Sequence, residues 1–191
     1  MKTQAASALT RSEVQQFAKG LLTTHSNPIY HDVFKFGLNV SLRIADLLTL
    51  TYEEVLGGKI RIKESKTKGV KGKAVREIPV TAAAMKIAKA RRKANPEHVY
   101  LFQNDSRRST GKPITKEAVI RAFAKANEEY VTHKHVSTHT MRKTPARIMW
   151  DEGVPLEIIS SRLNHSSTDV TLRYLDITKD QVNETYQNYQ F

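Results

Sequence analysis

Only one part of this chain alternates. Residues 59–63 set charged side chains between isoleucines, residues 74–80 alternate again, and a glycine- and lysine-rich stretch, residues 65–73, joins them. Period-two alternation over so few residues is the pattern of a half-buried strand, so the pair reads as one β-hairpin with a basic tip. Gly57 and Gly58 close the helical region before it. Elsewhere the apolar residues recur mainly at helical spacing. The sequence therefore predicts a single, mainly α domain with a small antiparallel β-sheet, an α+β fold.

Local signals place the helices. Thr10 followed by Glu13 is a capping box, after which Val14, Phe17, Leu21 and Leu22 give a helix one apolar face. Residues 1–9 are expected to be flexible and untethered. Asn27 and Pro28 interrupt the pattern, and a second helix turns Ile29, Val33, Phe34 and Leu38 inward. Residues 42–50 read as a third helix, amphipathic through Leu42, Leu47, Leu48 and Leu50. Residues 81–94 form a basic helix with Ala84, Met85, Ile87 and Ala88 inward, stopped by Pro96. Residues 99–102 are a short buried strand or loop. Residues 115–129 form a further helix burying Val119, Ile120, Phe123 and Ala126. Its other face carries Arg121 and Lys125, a pair suited to a nucleic-acid backbone or simply to solvent.

Thr138 can cap a helix starting at His139. Proline is tolerated only in a first turn, so Pro145 offers a second start, with Thr144 as the cap. Gly153 ends that helix and Pro155 opens the next, which runs to Leu163 with Leu156, Ile159 and Leu163 inward. Ser167 or Thr168 then caps a short helix carrying Tyr174 near its end.

Charge narrows the partner. Thirty-one Lys and Arg against nineteen Asp and Glu leave a formal net charge of +12. Eight basic residues fall between Lys59 and Arg76 and five between Lys86 and Lys93, so the positive field sits in the body of the domain. Such a body suits a polyanion, usually nucleic acid. With no cysteine there is neither a disulfide nor a thiolate metal site, which fits a cytoplasmic protein. No apolar run approaches the roughly 20 residues of a membrane span, and the N-terminus lacks the apolar core of a signal peptide.

The chemistry gathers in residues 139–174. His139 and Arg142 open the stretch, His165 follows, and Tyr174 closes it. Arginine presents a charged planar fork that matches phosphate oxygens in pairs. Histidine donates hydrogen bonds or moves protons near neutral pH, and tyrosine supplies an oxygen that can hold a covalent intermediate. Both His139 and Arg142 lie near a helix N-terminus, where an anion is favoured. Singly, each residue has a structural reading: a lone histidine is more often structural than catalytic, and Tyr186 and Tyr189 carry no chemistry. Arg43, inside an apolar run, could be a snorkelling side chain.

Together these residues resemble a known pattern. H-x-x-R at His139 and Arg142, L-x-H-S-S from Leu163 to Ser167, and T-x-x-Y from Thr171 to Tyr174 resemble the C-terminal half of the tyrosine recombinase (phage integrase) family. Leu42, Arg43, Ile44, Asp46, Leu47 and Leu50 resemble that family's first arginine box, and Lys66-Thr67-Lys68 its hairpin lysine. The family usually has glycine at the position of Asn164, and asparagine can keep a left-handed turn there. It commonly has Thr-Gly where this chain has Val40 and Ser41.

The resemblance implies a tyrosine recombinase/type IB topoisomerase-like catalytic domain over residues 10–178, acting on double-stranded DNA without metal or cofactor. It implies Tyr174 as nucleophile, forming a 3′-phosphotyrosine, with Arg43 and Arg142 on the scissile phosphate. His139 aids proton transfer, His165 donates to the phosphate, Lys66 protonates the leaving 5′ oxygen, and Asp46 braces the site. Lys68, Lys71 and Lys73 rival Lys66 on the same loop and otherwise join Arg121 and Lys125 as DNA contacts.

The family's separate N-terminal DNA-binding domain has no counterpart here, as expected either of a shortened chain or of a naturally minimal member such as the inverters of fimbrial promoters. Residues 179–191 resemble the family's tail, which docks on a neighbouring protomer in a tetramer on DNA. Val182, Tyr186 and Tyr189 would form its apolar face, or else pack within the chain. The implied activity is site-specific recombination, bacterial or phage-encoded. The alternatives are a nicking-closing enzyme of the type IB topoisomerase kind and a non-catalytic DNA binder.

Overall fold

The computed structural model describes residues 5–63, 75–104, 111–177 and 179–190. Among these, ten helices and two strands follow in the order α1 (Arg11–Thr24), α2 (Ile29–Val40), α3 (Ile44–Leu48), α4 (Tyr52–Leu56), β1 (Lys59–Ile62), β2 (Arg76–Pro79), α5 (Ala82–Ala94), α6 (Lys116–Glu129), α7 (Thr140–Asp151), α8 (Leu156–Leu163), α9 (Thr168–Tyr174) and α10 (Lys179–Asn188). The mainly α reading with one antiparallel hairpin is the observed fold. Ile60 pairs with Ile78 on the buried face of the sheet. Arg61 pairs with Glu77 across the strands, its Nε donating at 2.8 Å.

The main core joins α1, α2 and α6 through Phe17, Phe34 and Phe123. Their rings meet edge to face with centroids 5.0–5.8 Å apart, the geometry that aromatic quadrupoles favour. Gly37 lets α2 approach α7, since a Cβ there would strike the sulfur of Met141. A smaller cluster of Ala146, Ile159, Leu163 and Leu175 joins the second half of α7 to α8 and the end of α9. No helix among the described residues is long and apolar enough to cross a membrane.

Several expectations need correction. The run 42–50 is not one helix. Ser41 turns left-handed at the end of α2 (φ 53°), and Arg43 is extended (φ −66°, ψ 146°) as the N-cap of the five-residue α3. Beyond α3 the Leu50 carbonyl accepts from the Leu101 amide at 2.8 Å and Thr51 bridges to Tyr100, so helix gives way to extended pairing. The capping box at Thr10 and Glu13 is present, but Leu22 is 49% exposed while Ala18 and Gly20 are buried. Ile120 likewise faces solvent on α6, where Ala122 is buried instead.

Residues 7–9 are held, not untethered. The Ser7 amide donates to the His135 carbonyl, the Leu9 amide donates to Thr144 Oγ1, and Leu9 is buried. Pro145 neither starts nor breaks α7. The helix starts at Thr140 with His139 as N-cap and keeps Pro145 inside. The residues around that proline (Met141, Arg142, Lys143, Thr144 and Ala146) are all buried. Their packing offsets the missing amide, which costs about 3 kcal/mol in an isolated helix.

Candidate active site

Arg142 is the third residue of α7 and only 2% exposed. Its guanidinium donates to the Ser41 carbonyl and, at 2.7 Å, to the Leu163 carbonyl. A buried charge is tolerated when it is hydrogen-bonded, and these two carbonyls, from the ends of α2 and α8, fix the plane of the fork. Arg43 reaches the same place from the N-cap of α3. Burial, then the neighbouring charge of Arg142, lowers its pKa, while Asp46 opposes the shift. Asp46, one turn further on and 4% exposed, therefore supports a pair of like charges. Two guanidinium groups brought this close are electrostatically costly without an anion.

Tyr174 ends α9 beside them. Its hydroxyl donates to the His139 carbonyl at 3.3 Å and its ring meets that of His165 edge to face at 5.0 Å. Burial raises the phenol's pKa. The charge and hydrogen bond of Arg142 and the charge of Arg43 oppose this, and Asp176 adds to the rise. The hydroxyl thus rests protonated, next to the two cations that would stabilise its oxyanion.

His165 sits in the turn after α8. Asn164 makes that turn with left-handed backbone (φ 51°, ψ 50°), the conformation expected of an asparagine in glycine's place. His165 Nδ1 hydrogen-bonds Thr171 Oγ1 at 3.0 Å, and Thr171 is fully buried, so the ring is fixed from α9. His139 is exposed at the start of α7, and its carbonyl also takes the amides of Arg142 and Lys143, each at 2.9 Å. Five of the residues singled out in the sequence therefore converge. Lys66, Lys68, Lys71 and Lys73 lie outside the described residues. Arg121 and Lys125 are exposed on α6 and take no part in these contacts.

Sequence reasoning missed two more arginines. Arg76, the first residue of β2, is half-buried and donates to the Arg162 carbonyl. Its pKa is lowered by burial and then by Arg142. Arg162 on α8 donates to the Asn39 carbonyl at 2.9 Å and to Ser41 Oγ at 3.4 Å. Burial and then Arg76 lower its pKa. The signal for Arg76 was the strand's own alternation. It stands two residues from buried Ile78 and so shares the inward face of the hairpin. Among the described residues, no group of three or more His, Asp or Glu side chains converges as metal ligands.

The sequence model of the phage integrase family matches residues 7–181. A probable integrase/recombinase, YoeC, of Bacillus subtilis is 28% identical over 92% of this chain and 91% of its own length. A probable integrase/recombinase of Acholeplasma phage L2 is 24% identical, and there the match spans 92% of this chain but 58% of the phage protein. The tyrosine recombinase XerC of Pelobacter propionicus is 28% identical, with the match spanning 76% of this chain and 46% of that one.

In three dimensions the chain is similar to XerA recombinase, with a TM-score of 0.70 at 16% identity over 99% of this chain and 68% of that one. A lambda integrase dimer bound to a core site gives a TM-score of 0.69 at 19% identity, covering 94% of this chain and 62% of that one. At such identities the likeness is one of fold. With almost the whole length matched and the motif residues brought together, the chain belongs to the phage integrase family, the tyrosine recombinases.

Proposed function

We propose that this chain is a site-specific DNA recombinase of the integrase or invertase type, and that Arg43, His139, Arg142, His165 and Tyr174 are its catalytic residues. The observation that carries the reading is the convergence on Tyr174 of the Arg43 and Arg142 charges, the His165 ring and the backbone carbonyl of His139, brought from separate parts of the chain. A phosphodiester placed between Arg43 and Arg142 would have its charge offset by the guanidinium groups as the crowded transition state forms.

The Tyr174 oxygen forms a bond to phosphorus, the bond from phosphorus to the 5′ oxygen breaks, and a 3′-phosphotyrosine remains. His139 takes the phenolic proton, His165 donates a hydrogen bond to a phosphate oxygen, and Lys66 protonates the departing 5′ oxygen. The covalent linkage conserves the energy of the broken bond, so the 5′ hydroxyl of a second strand can reverse the step. Lys68, Lys71 and Lys73, together with Arg121 and Lys125, follow the DNA backbone. Binding of that kind weakens steeply with salt, because each phosphate contact releases counterions.

The tail helix supports assembly on DNA. Val182, Tyr186 and Tyr189 are 50%, 74% and 72% exposed, so they do not pack within the chain. A neighbouring protomer in a tetramer would cover them. The protein would work in the bacterial cytoplasm on chromosomal or mobile-element DNA.

The test is covalent trapping. Nicked duplexes from a randomised pool, in which loss of the short strand past the nick prevents religation, are incubated with the protein and run on a denaturing gel. Wild type should give a slow protein–DNA band that Tyr174→Phe lacks. A band of equal strength in the variant would remove Tyr174 as nucleophile. A trapped adduct without exchange between two duplexes would leave the nicking-closing alternative.

A further inference from the structure

Lys143 follows Arg142 on α7, yet it is drawn into a different set of contacts. Consecutive helical residues point about 100° apart, so one turn of α7 can serve two neighbours at once. Arg142 holds the Leu163 carbonyl at the end of α8. Lys143 holds Asp176, two residues beyond Tyr174, with its Nζ at 2.8 and 2.7 Å from the two carboxylate oxygens. The ends of the segment bearing His165 and Tyr174 are therefore pinned to adjacent residues of one helix.

Lys143 is 6% exposed, and an ammonium is seldom buried unless paired. Its Nζ also lies 5.6 Å from the centroid of the Tyr174 ring, within the range of a cation–π contact. Asp176 takes left-handed backbone (φ 58°), a conformation aspartate tolerates better than most residues, and this turns its carboxylate back toward α7. One turn along α7, Arg147 reaches the neighbouring Leu175 carbonyl at 3.4 Å. Behind the tyrosine, a cavity of about 390 Å³ lies between this segment and residues 7–10. That leaves α9 room to shift were the grip released.

We propose that Lys143 is a positioning residue for the nucleophile, and that the Lys143–Asp176 ion pair is a latch setting where the Tyr174 hydroxyl stands relative to Arg142. Lys143 is not the proton donor to the leaving oxygen, since its charge is committed to Asp176 and to the face of the ring. The proposal rests on Tyr174 being the nucleophile.

Two measurements keep the failures of the two ideas apart. The first places 3-fluorotyrosine at position 174 and follows its fluorine resonance without DNA. Lys143→Met and Asp176→Asn should each move or broaden the line while Lys143→Arg leaves it near wild type, whether or not the protein cuts DNA. The second is the single-turnover rate of adduct formation on a duplex selected by wild-type trapping. Lys143→Met and Asp176→Asn should each slow it about 10- to 100-fold, the scale of a small misplacement of a reacting group, with duplex affinity unchanged.

The double variant should be no slower than the worse single one, as expected for two ends of one contact. Lys143→Arg should retain most of the rate, because arginine can grip Asp176 but does not give up a proton. An unmoved fluorine line in Asp176→Asn, whose side chain is mostly exposed and which should fold normally, would overturn the latch. So would a Lys143→Arg variant with a normal line and no cleavage, which would make Lys143 the acid. A latch seen by fluorine with no adduct in wild type would instead remove the nucleophile assignment and with it the latch's catalytic meaning.

Discussion

The two hydrophobic clusters of this domain are built on different principles. The first is continuous from α1 to α7 and filled with fully buried aromatic rings: Phe17, Phe34, Phe36, Phe102 and Phe123. The second has four buried residues, Ala146, Ile159, Leu163 and Leu175. Its other apolar members, Met149, Trp150, Val154, Leu156, Tyr174 and Ile177, are only half-buried, and three polar contacts tie its helices together as well: Arg142 on the Leu163 carbonyl, Lys143 on Asp176, and Arg147 on the Leu175 carbonyl. Arg43 stands on the first cluster, and His165 and Tyr174 ride on the second. The half carrying Arg43 is thus set by packing, and Tyr174 by a thinner apolar layer together with a few charged contacts. Local stability follows such differences in buried apolar contact, so the helix of Tyr174 should open at lower free energy than the platform under Arg43.

The sharpest way to break this contrast is Arg142→Ala, because Arg142 belongs to both halves. Its loss would take a donor from the proposed phosphate site and leaves the Ser41 and Leu163 carbonyls without that partner. Adduct formation should fall by about 10²–10³-fold or more, the usual cost of one oxyanion-stabilising donor. Stability should fall by about 1–3 kcal/mol for the unsatisfied groups. The decisive measurement pairs trapping rates with denaturant melts. A variant that loses the rate but keeps full stability would mean the two carbonyl contacts contribute little to joining the halves.

Next in size are two truncations, one in each cluster. Phe34→Ala should cost about 3–5 kcal/mol and Ile159→Ala about 2 kcal/mol, at the low end for its class because most of the side chains around its cluster are only half-buried and can close on the gap. Hydrogen exchange should separate them more clearly than melting. Phe34→Ala should speed exchange throughout the domain. Ile159→Ala should speed it in α8 and α9 while α2 stays protected. Uniform loss of protection in both variants would show that the domain opens as one unit and that the contrast between clusters has no dynamic consequence.

How much of this was legible in the sequence differs between the halves in an instructive way. The hairpin, the Thr10 capping box, the turn at Asn164 and the Ser167 cap were all readable, because each depends on neighbours within a few residues. Convergence of the five motif residues was legible only through family resemblance, since spacing alone does not bring Arg43 to Arg142. The break between Ser41 and Ile44 was not legible. The Ser41 carbonyl is held by Arg142, a hundred residues away, and that contact outweighs the local helical pattern. Pro145 failed for the same reason, its helix being kept by burial on several sides. Lys143 gave no signal, as a lysine after an arginine on a basic chain looks like one more surface charge. Arg76 did give one, in its register with Ile78, and the hairpin's charged alternation concealed it.

The smallest expected effect tests the joint between the amino-terminal helix and the loop leading to α7. Glu13 closes the α1 capping box and also accepts from His133 Nε2 at 2.7 Å and Lys134 Nζ at 2.6 Å. Burial by itself would raise its pKa. The hydrogen bonds from Lys134, the Thr10 backbone and His133 outweigh it and bring the carboxyl down from 4.5 to about 2. A carboxylate depressed in the folded state adds stability that is fully present above pH 4.5 and is lost as pH falls from there through about 2. Because His133 is largely exposed, solvent screening leaves on the order of 1 kcal/mol at neutral pH. In a domain of this size, that amounts to about 2–4 °C in Tm. Glu13→Gln should therefore melt a few degrees below wild type at pH 7, with the gap narrowing below pH 4.5 and nearly closed by pH 2. General acid repulsion acts on both proteins alike, so the difference isolates this one group. A gap that stayed constant with pH would mean the side chain stabilises the joint through its shape and neutral hydrogen bonding, not its charge. The link between the packed half and the loop before His139 would then be insensitive to acid.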